Sequence, residues 1–362
     1  VERRVLKRGA LLLLSLAAAA LGASLAGCTA LVGFPDLPPL VDAGVDAHAS
    51  TKVEAGAPSD VTSKPSGDTG APQVAYLFGG FIDLSSGAET SLADTWSFDG
   101  SHWTSLSPGN PPAARGGCGA AALAGDVVLF GGVDGSSMDY GDTLTFDGKS
   151  WDPVSATGPS ARSFPAMRSV AGGILLFGGY DDESGDVLGD TWMWDGSAWS
   201  KQTPATSPQA RYAPGVATMP DGTVVLFGGV SAKNAVLGDT WTWDGTTWAE
   251  QHPARSPSPR SGPGMGTQGS TAVVFGGFDV NSDELADTWI WDGTSWTSPT
   301  LANHPAGRDT MASVTLNGAF IVFGGQTGEA TLQDTWSWDG ATWTAVPAGG
   351  PQTRAGAAFV VP

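Results

Sequence analysis

The chain has 362 residues, with 17 Lys and Arg against 36 Asp and Glu, a formal net charge of −19, 41% hydrophobic residues, 52 Gly and 25 Pro. That apolar content excludes a wholly disordered chain, and that much Gly and Pro excludes ordinary helical domains. No basic stripe exists to neutralise phosphates, so nucleic acid is not an expected partner, and two Cys cannot build a disulfide framework.

The first element is an address. Arg3, Arg4, Lys7 and Arg8 precede an apolar run from Ala10 to Gly27, the charged and hydrophobic regions of a secretory signal. The run ends in Leu25-Ala26-Gly27-Cys28, which resembles the lipobox of bacterial lipoproteins. The resemblance implies a signal peptide over residues 1–27, lipidation of Cys28 and a place in the cell envelope. Thr29, where an Asp would retain the protein, points by the same resemblance to the outer membrane. Contact with the membrane is expected through this lipid alone, because a strongly acidic domain is repelled by anionic lipid surfaces. Residues 28–73 are rich in Pro, Ala, Gly and Asp and read as a disordered linker.

From residue 74 the sequence repeats. The triplet Phe-Gly-Gly begins at Phe78, Phe130, Phe177, Phe227, Phe275 and Phe323, at spacings of 47 to 52 residues. Each triplet is followed by Asp-Thr-Trp, or once Asp-Thr-Leu, starting at Asp94, Asp142, Asp190, Asp239, Asp287 and Asp334. An Asp-Gly pair follows 5 residues later and a Trp 4 after that, and an Arg recurs 11 or 12 residues further on. Apolar runs such as Val224-Val225-Leu226-Phe227 predict buried strands stopped by Gly-Gly. The alternation in Thr240-Trp241-Thr242-Trp243 predicts a strand with one packed face, and Asp244-Gly245 a tight hairpin. An inner strand is expected after each Arg, making a four-stranded antiparallel unit. Residues 74–106 supply only three strands of the first unit, and Arg354 to Val361 supply the missing one. The chain is therefore expected to be all-β, a six-bladed β-propeller over residues 74–362 closed by its C-terminal strand.

A hydrophobic strand ending in Gly-Gly, a downstream Asp-x-Trp and a later Trp, at a period near 50, resemble the kelch repeat. The resemblance covers the whole repeated region. Departures occur after the Arg, where Tyr212-Ala213-Pro214 and Asp309-Thr310-Met311 stand in place of the His or second Gly pair often found in kelch units.

The candidate ligand-binding residues are Arg115, Arg162, Arg211, Arg260, Arg308 and Arg354, which would place six guanidinium groups around one mouth of the channel. Resemblance to kelch adaptors implies an anion- or carboxylate-binding mouth. The other reading pairs each Arg with an Asp of Asp-Thr-Trp as a clamp on neighbouring blades, and strict repetition favours it. Specificity is expected where the repeats differ, in the loops from residues 81–93 to 326–333. Their acidic residues include Asp83, Glu89, Asp134, Asp139, Asp181, Asp182, Glu183, Asp186, Asp279, Asp283 and Glu284. Asp279, Asn281 and Asp283 have the spacing of a calcium loop start, but Glu284 replaces the glycine such a loop needs. No other cofactor is expected. Cys118 and all fifteen Trp are read as core.

No nucleophile elbow, zinc spacing or copper cluster is present. The expected function is therefore a surface-tethered, non-catalytic propeller that binds a protein or a glycan through its variable loop face. The alternative is a carbohydrate-active enzyme of kelch type, resembling a sialate epimerase or a lyase, whose chemistry needs only a placed acid and base.

Overall fold

The computed structural model describes residues 73–83, 89–328, 330–347 and 349–362. The expected leader, Cys28 and the linker up to residue 72 lie outside the described residues. The described chain forms a six-bladed propeller, each blade a four-stranded antiparallel sheet. In the fourth blade the strands Gly215–Thr218, Val224–Phe227, Thr240–Trp243 and Trp248–Gln251 succeed one another from channel to rim. In the first blade the C-terminal strand Ala358–Val360 lies innermost, beside Ala75–Phe78, followed by Thr95–Phe98 and Trp103–Leu106. The two ends of the propeller thus share one sheet, and the ring closes as the repeats predict.

Apolar packing lies largely between blades. The fourth and fifth blades meet through Ala217, Val225 and Phe227 on one side and Met265, Val274, Trp291 and Trp296 on the other. The Phe of each Phe-Gly-Gly contacts the outer-strand Trp of the next blade, with ring centroids 4.9 to 5.4 Å apart, from Phe78–Trp151 round to Phe323–Trp103. That same Trp donates its indole N–H to the Thr of the preceding blade's Asp-Thr pair, at 2.9 to 3.2 Å in all six junctions. Phe, Thr and Trp are therefore one junction written three times in the repeat.

The Asp-Gly turns are four-residue loops, not the tight two-residue hairpins the dipeptide suggests. Asp244 Oδ1 accepts the backbone N–H of Thr246 and of Thr247, and Gly245 adopts φ 101°. Two amides are thus satisfied by a side chain, which lets the loop widen. The tryptophans divide as well: Trp96, Trp192, Trp241 and Trp336 are half-buried, where all fifteen were expected in the core. Each of the four ties its indole N–H to the Asp two residues before it.

Replacing buried Thr240 by Val leaves the Trp296 N–H unpaired at an otherwise intact junction. The expected cost is about 1 to 3 kcal/mol, read as a lower urea midpoint at unchanged slope.

Candidate functional site

Each Phe-Gly-Gly triplet ends where the next blade begins. In Gly79 the backbone has φ 65°, and a Cβ would stand 2.3 Å from the carbonyl oxygen of Arg115, so only glycine fits. Gly80 N–H then donates to that carbonyl at 2.9 Å, and Arg115 N–H donates to Leu92 at 3.0 Å. The main chain of Arg115 is thereby bound to the first blade, while its side chain is bound to the second. Nη1 reaches Gly131 O and Asp142 Oδ1, Nη2 reaches Asp142 Oδ2, and Nε reaches Ala113 O.

The pattern repeats in every blade, with Nη1–Oδ1 distances of 2.5 to 2.7 Å. All six arginines are 0 to 2% exposed. The expected pairing of each Arg with an Asp of Asp-Thr-Trp is present, and one expectation is corrected by this geometry. Arg115, Arg162, Arg211, Arg260, Arg308 and Arg354 do not present open guanidinium groups at a channel mouth, because their N–H groups are held by carboxylate and carbonyl oxygens. Each Arg does clamp neighbouring blades, with its side chain closing one blade and its backbone making the bridge to the other. Burial alone would raise the partner carboxyls, but the Arg hydrogen bonds and charge and the Trp indole hold Asp94, Asp190, Asp239, Asp287 and Asp334 below their usual 3.8. In the second blade Leu144 replaces that Trp, and the ring of Tyr140 lies over the Arg115 guanidinium at 3.5 Å instead.

Two residues beyond each Arg, the chain turns across the channel mouth. The backbone N–H of Phe164, Ala213, Gly262, Thr310, Gly356 and Gly117 each donates to the carbonyl of the corresponding residue one blade back, at 2.6 to 2.9 Å, and the six bonds close a circle. All six residues have φ between 50° and 65°. That conformation is natural for glycine and costs free energy at Phe164, Ala213 and Thr310. The only hint in the sequence is a glycine at that position in three of the six blades.

The variable loops flank this mouth. The residue after each Arg pairs with the residue after Gly-Gly of the same blade, as in Ser163 with Tyr180 and Ser261 with Phe278. Loops and Arg-bearing connections therefore share a face. The third blade departs most: its strands Gly173–Asp181 and Asp186–Trp194 run nine residues each, with a register shift between Phe177 and Gly179. This hairpin carries Tyr180 to a 5.4 Å ring contact with Tyr212 of the fourth blade, beside Val230, Val236 and Phe278. Burial, with Asp182, Asp139, Asp181 and Asp186 around it, raises the Tyr180 hydroxyl above its usual range. Aromatic rings and carboxylates thus converge across the loops of the second, third and fourth blades.

In the fifth-blade loop, Asp279 Oδ1 accepts the backbone N–H of Asn281 and Asp283, and Asn281 Nδ2 donates to Asp279 Oδ2. The Asp279, Asn281 and Asp283 run thus ties its leading carboxylate to its own turn. No group of three or more His, Cys, Asp or Glu able to hold a metal occurs among the described residues. Cys118 lies half-buried against the channel, and burial pushes its thiol up to about 12, so it is protonated at neutral pH.

Asp309 is the one buried carboxyl among the described residues, at 3% exposure. Burial, opposed by hydrogen bonds from Thr310 and Gln326 and reinforced by Glu284, pushes it up to about 7. The folded state therefore binds a proton that the unfolded chain, near 3.8, releases, and stability is lost as pH rises from about 4 to 7. Asp309→Asn removes this dependence, so its melting temperature is expected to gain on the wild type across that interval and stay ahead at pH 8. For the clamps, Arg211→Met leaves Asp239 with the Trp241 indole as its remaining side-chain donor and no counter-charge, and removes the Arg donor from the Gly228 carbonyl. About 3 kcal/mol of lost stability is expected in denaturant titrations, in the lower part of the range for a broken buried pair because Asp239 retains 24% exposure.

The family model described as the KLHDC2/KLHL20/DRC7 Kelch-repeats domain matches residues 71–254. No curated protein matches the chain.

Proposed function

This chain belongs to the kelch-repeat family, and we propose that it is a non-catalytic interaction scaffold that binds a protein partner through its variable loop face. The partner presents a cationic segment. The observation that supports this reading is the half-buried ring of Tyr180, seated on Tyr212 and set among Asp181, Asp186 and Glu183, on the one face where the six repeats differ. The Tyr180 ring offers contact area and a cation–π face, and the carboxylates select against anionic partners. A lipid on Cys28, following a signal peptide over residues 1–27, would hold this scaffold at the bacterial outer membrane, with residues 28–73 as a spacer. The remaining acidic surface favours the same sign of partner.

The alternative, a carbohydrate-active enzyme, is favoured by one observation: Asp309 titrates near neutrality beside Glu284, as a placed acid and base would. Against it stand the 3% exposure of Asp309 and its bonds to neighbouring side chains.

The test is binding of the full chain to a peptide array graded in Lys and Arg content, followed by anisotropy titrations of the best peptide. Affinity is expected to fall about tenfold in Asp181→Asn/Asp186→Asn, with an unchanged melting temperature, and to weaken with salt. Indifference to peptide charge would sink the reading. A thermal shift with sialic acids, together with turnover that disappears in Asp309→Asn, would move the assignment to the carbohydrate alternative.

A further inference from the structure

The inner strands place equivalent residues around the channel. Register with the neighbouring strand aligns Ala121, Arg168, Ala217, Gly266, Val314 and Val360, each one step beyond the residue opposite Leu129, Leu176, Leu226, Val274 and Val322, or one step beyond Phe359 in the first blade. Five blades carry Ala, Gly or Val there, and the third carries an arginine. This break in symmetry has no counterpart in the structural repeat. The six clamp arginines already serve the blades, and Arg168 has no aspartate of its own.

Arg168 Nη1 donates to Met167 O at 3.0 Å, and Nη2 crosses to the fifth blade, donating to Met265 O at 3.3 Å. These two bonds leave three of its five N–H groups without an acceptor among the described residues. No salt bridge to it exists among them either. Burial pulls its ordinary 12.5 down to about 10, so it remains charged at neutral pH. A half-buried positive charge without a counter-charge is costly, and the usual remedy is an opposite charge close by.

The channel has room for one. Arg168 borders both of its compartments, one of about 140 Å³ directly inside the circle of six backbone bonds and one of about 250 Å³ beyond it. The larger compartment is lined by Ser169, Thr218, Thr267, Ser313 and Thr315, whose O–H groups are taken up by backbone carbonyls or by one another, and by no carboxylate. A water takes about 30 Å³ of liquid, so this space admits a small polyatomic ion with part of its hydration shell. Planar guanidinium edges bind oxyanions through paired N–H donors, and retained water completes the shell.

We propose that the central channel is a binding site for one small oxyanion, held by the free edge of the Arg168 guanidinium. The site is separate from the loop face: the ion lies inside the ring and contacts inner strands, not variable loops. It neutralises the lone cation that the third blade turns into the channel.

The experiment titrates the full chain with sodium phosphate in calorimetry, at constant ionic strength set with sodium chloride, beside Arg168→Gln. The wild type is expected to show saturable heat with one site per chain, displaced by sulfate, and a melting temperature that rises with phosphate. Arg168→Gln is expected to show neither, while melting in phosphate-free buffer at or above the wild-type temperature. No saturable binding in the wild type, or equal binding in Arg168→Gln, overturns the proposal. Should Arg168→Gln fail to fold, Arg168→Lys keeps the charge and loses the fork; it must bind phosphate at least several-fold more weakly at the same stoichiometry, and unchanged affinity overturns the proposal equally.

Discussion

The bidentate contact between a buried arginine and the aspartate of its own blade is the interaction on which the ring depends. It places one residue in two sheets at once: the guanidinium is fixed to the Gly-Gly turn and carboxylate of one blade, and the peptide group of the same residue pairs with the Gly-Gly turn of the blade before. A glycine is required because that peptide comes too close for a Cβ. Phe-Gly-Gly, Asp-Thr-Trp and the Arg are thus parts of a single joint, distributed over about fifty residues of sequence. An ion pair in this position specifies register and turn geometry more than it adds stability, because desolvating an arginine costs much of what the pairing returns.

Against this repetition, the departures stand out. The second blade exchanges an indole for Leu144 and covers its arginine with Tyr140. The third extends a hairpin over the face and turns an arginine into the channel. The sixth buries a carboxyl at Asp309, where other blades have Gly, Ser, Tyr or Ala. A symmetric scaffold binds nothing in particular; what distinguishes this one is concentrated in those places.

The fold was legible because its determinants recur: strands, stop signals and the closing C-terminal strand all follow from six copies of one pattern. The chemistry of the arginines was only half legible. Repetition pointed to pairing with Asp-Thr-Trp, but spacing cannot show that side chain and main chain of one residue serve different blades. The circle of backbone bonds left almost no trace, since carbonyl and amide groups are common to every residue and only Gly117, Gly262 and Gly356 hint at the conformation. Arg168 was invisible for the opposite reason. Read singly it is one more cation in Ala166-Met167-Arg168-Ser169; only strand register reveals that its five counterparts are small or apolar. Of the tryptophans expected to be uniformly buried, those that bond the Asp of their own Asp-Thr-Trp lie half-exposed in four blades, and only Trp289 of that set is buried.

Closure within the first blade has a mechanical side. The strand Ala75–Phe78 is flanked by Ala358–Val360 on one edge and Thr95–Phe98 on the other. Tension along the chain preceding this strand enters the ring at an interior strand, not at an edge. Pulled along its axis, that strand is loaded in shear, with the hydrogen bonds of both neighbours resisting together instead of opening one after another. The blade that joins the two ends of the ring is thereby also the one best placed to resist a force applied through the chain before it.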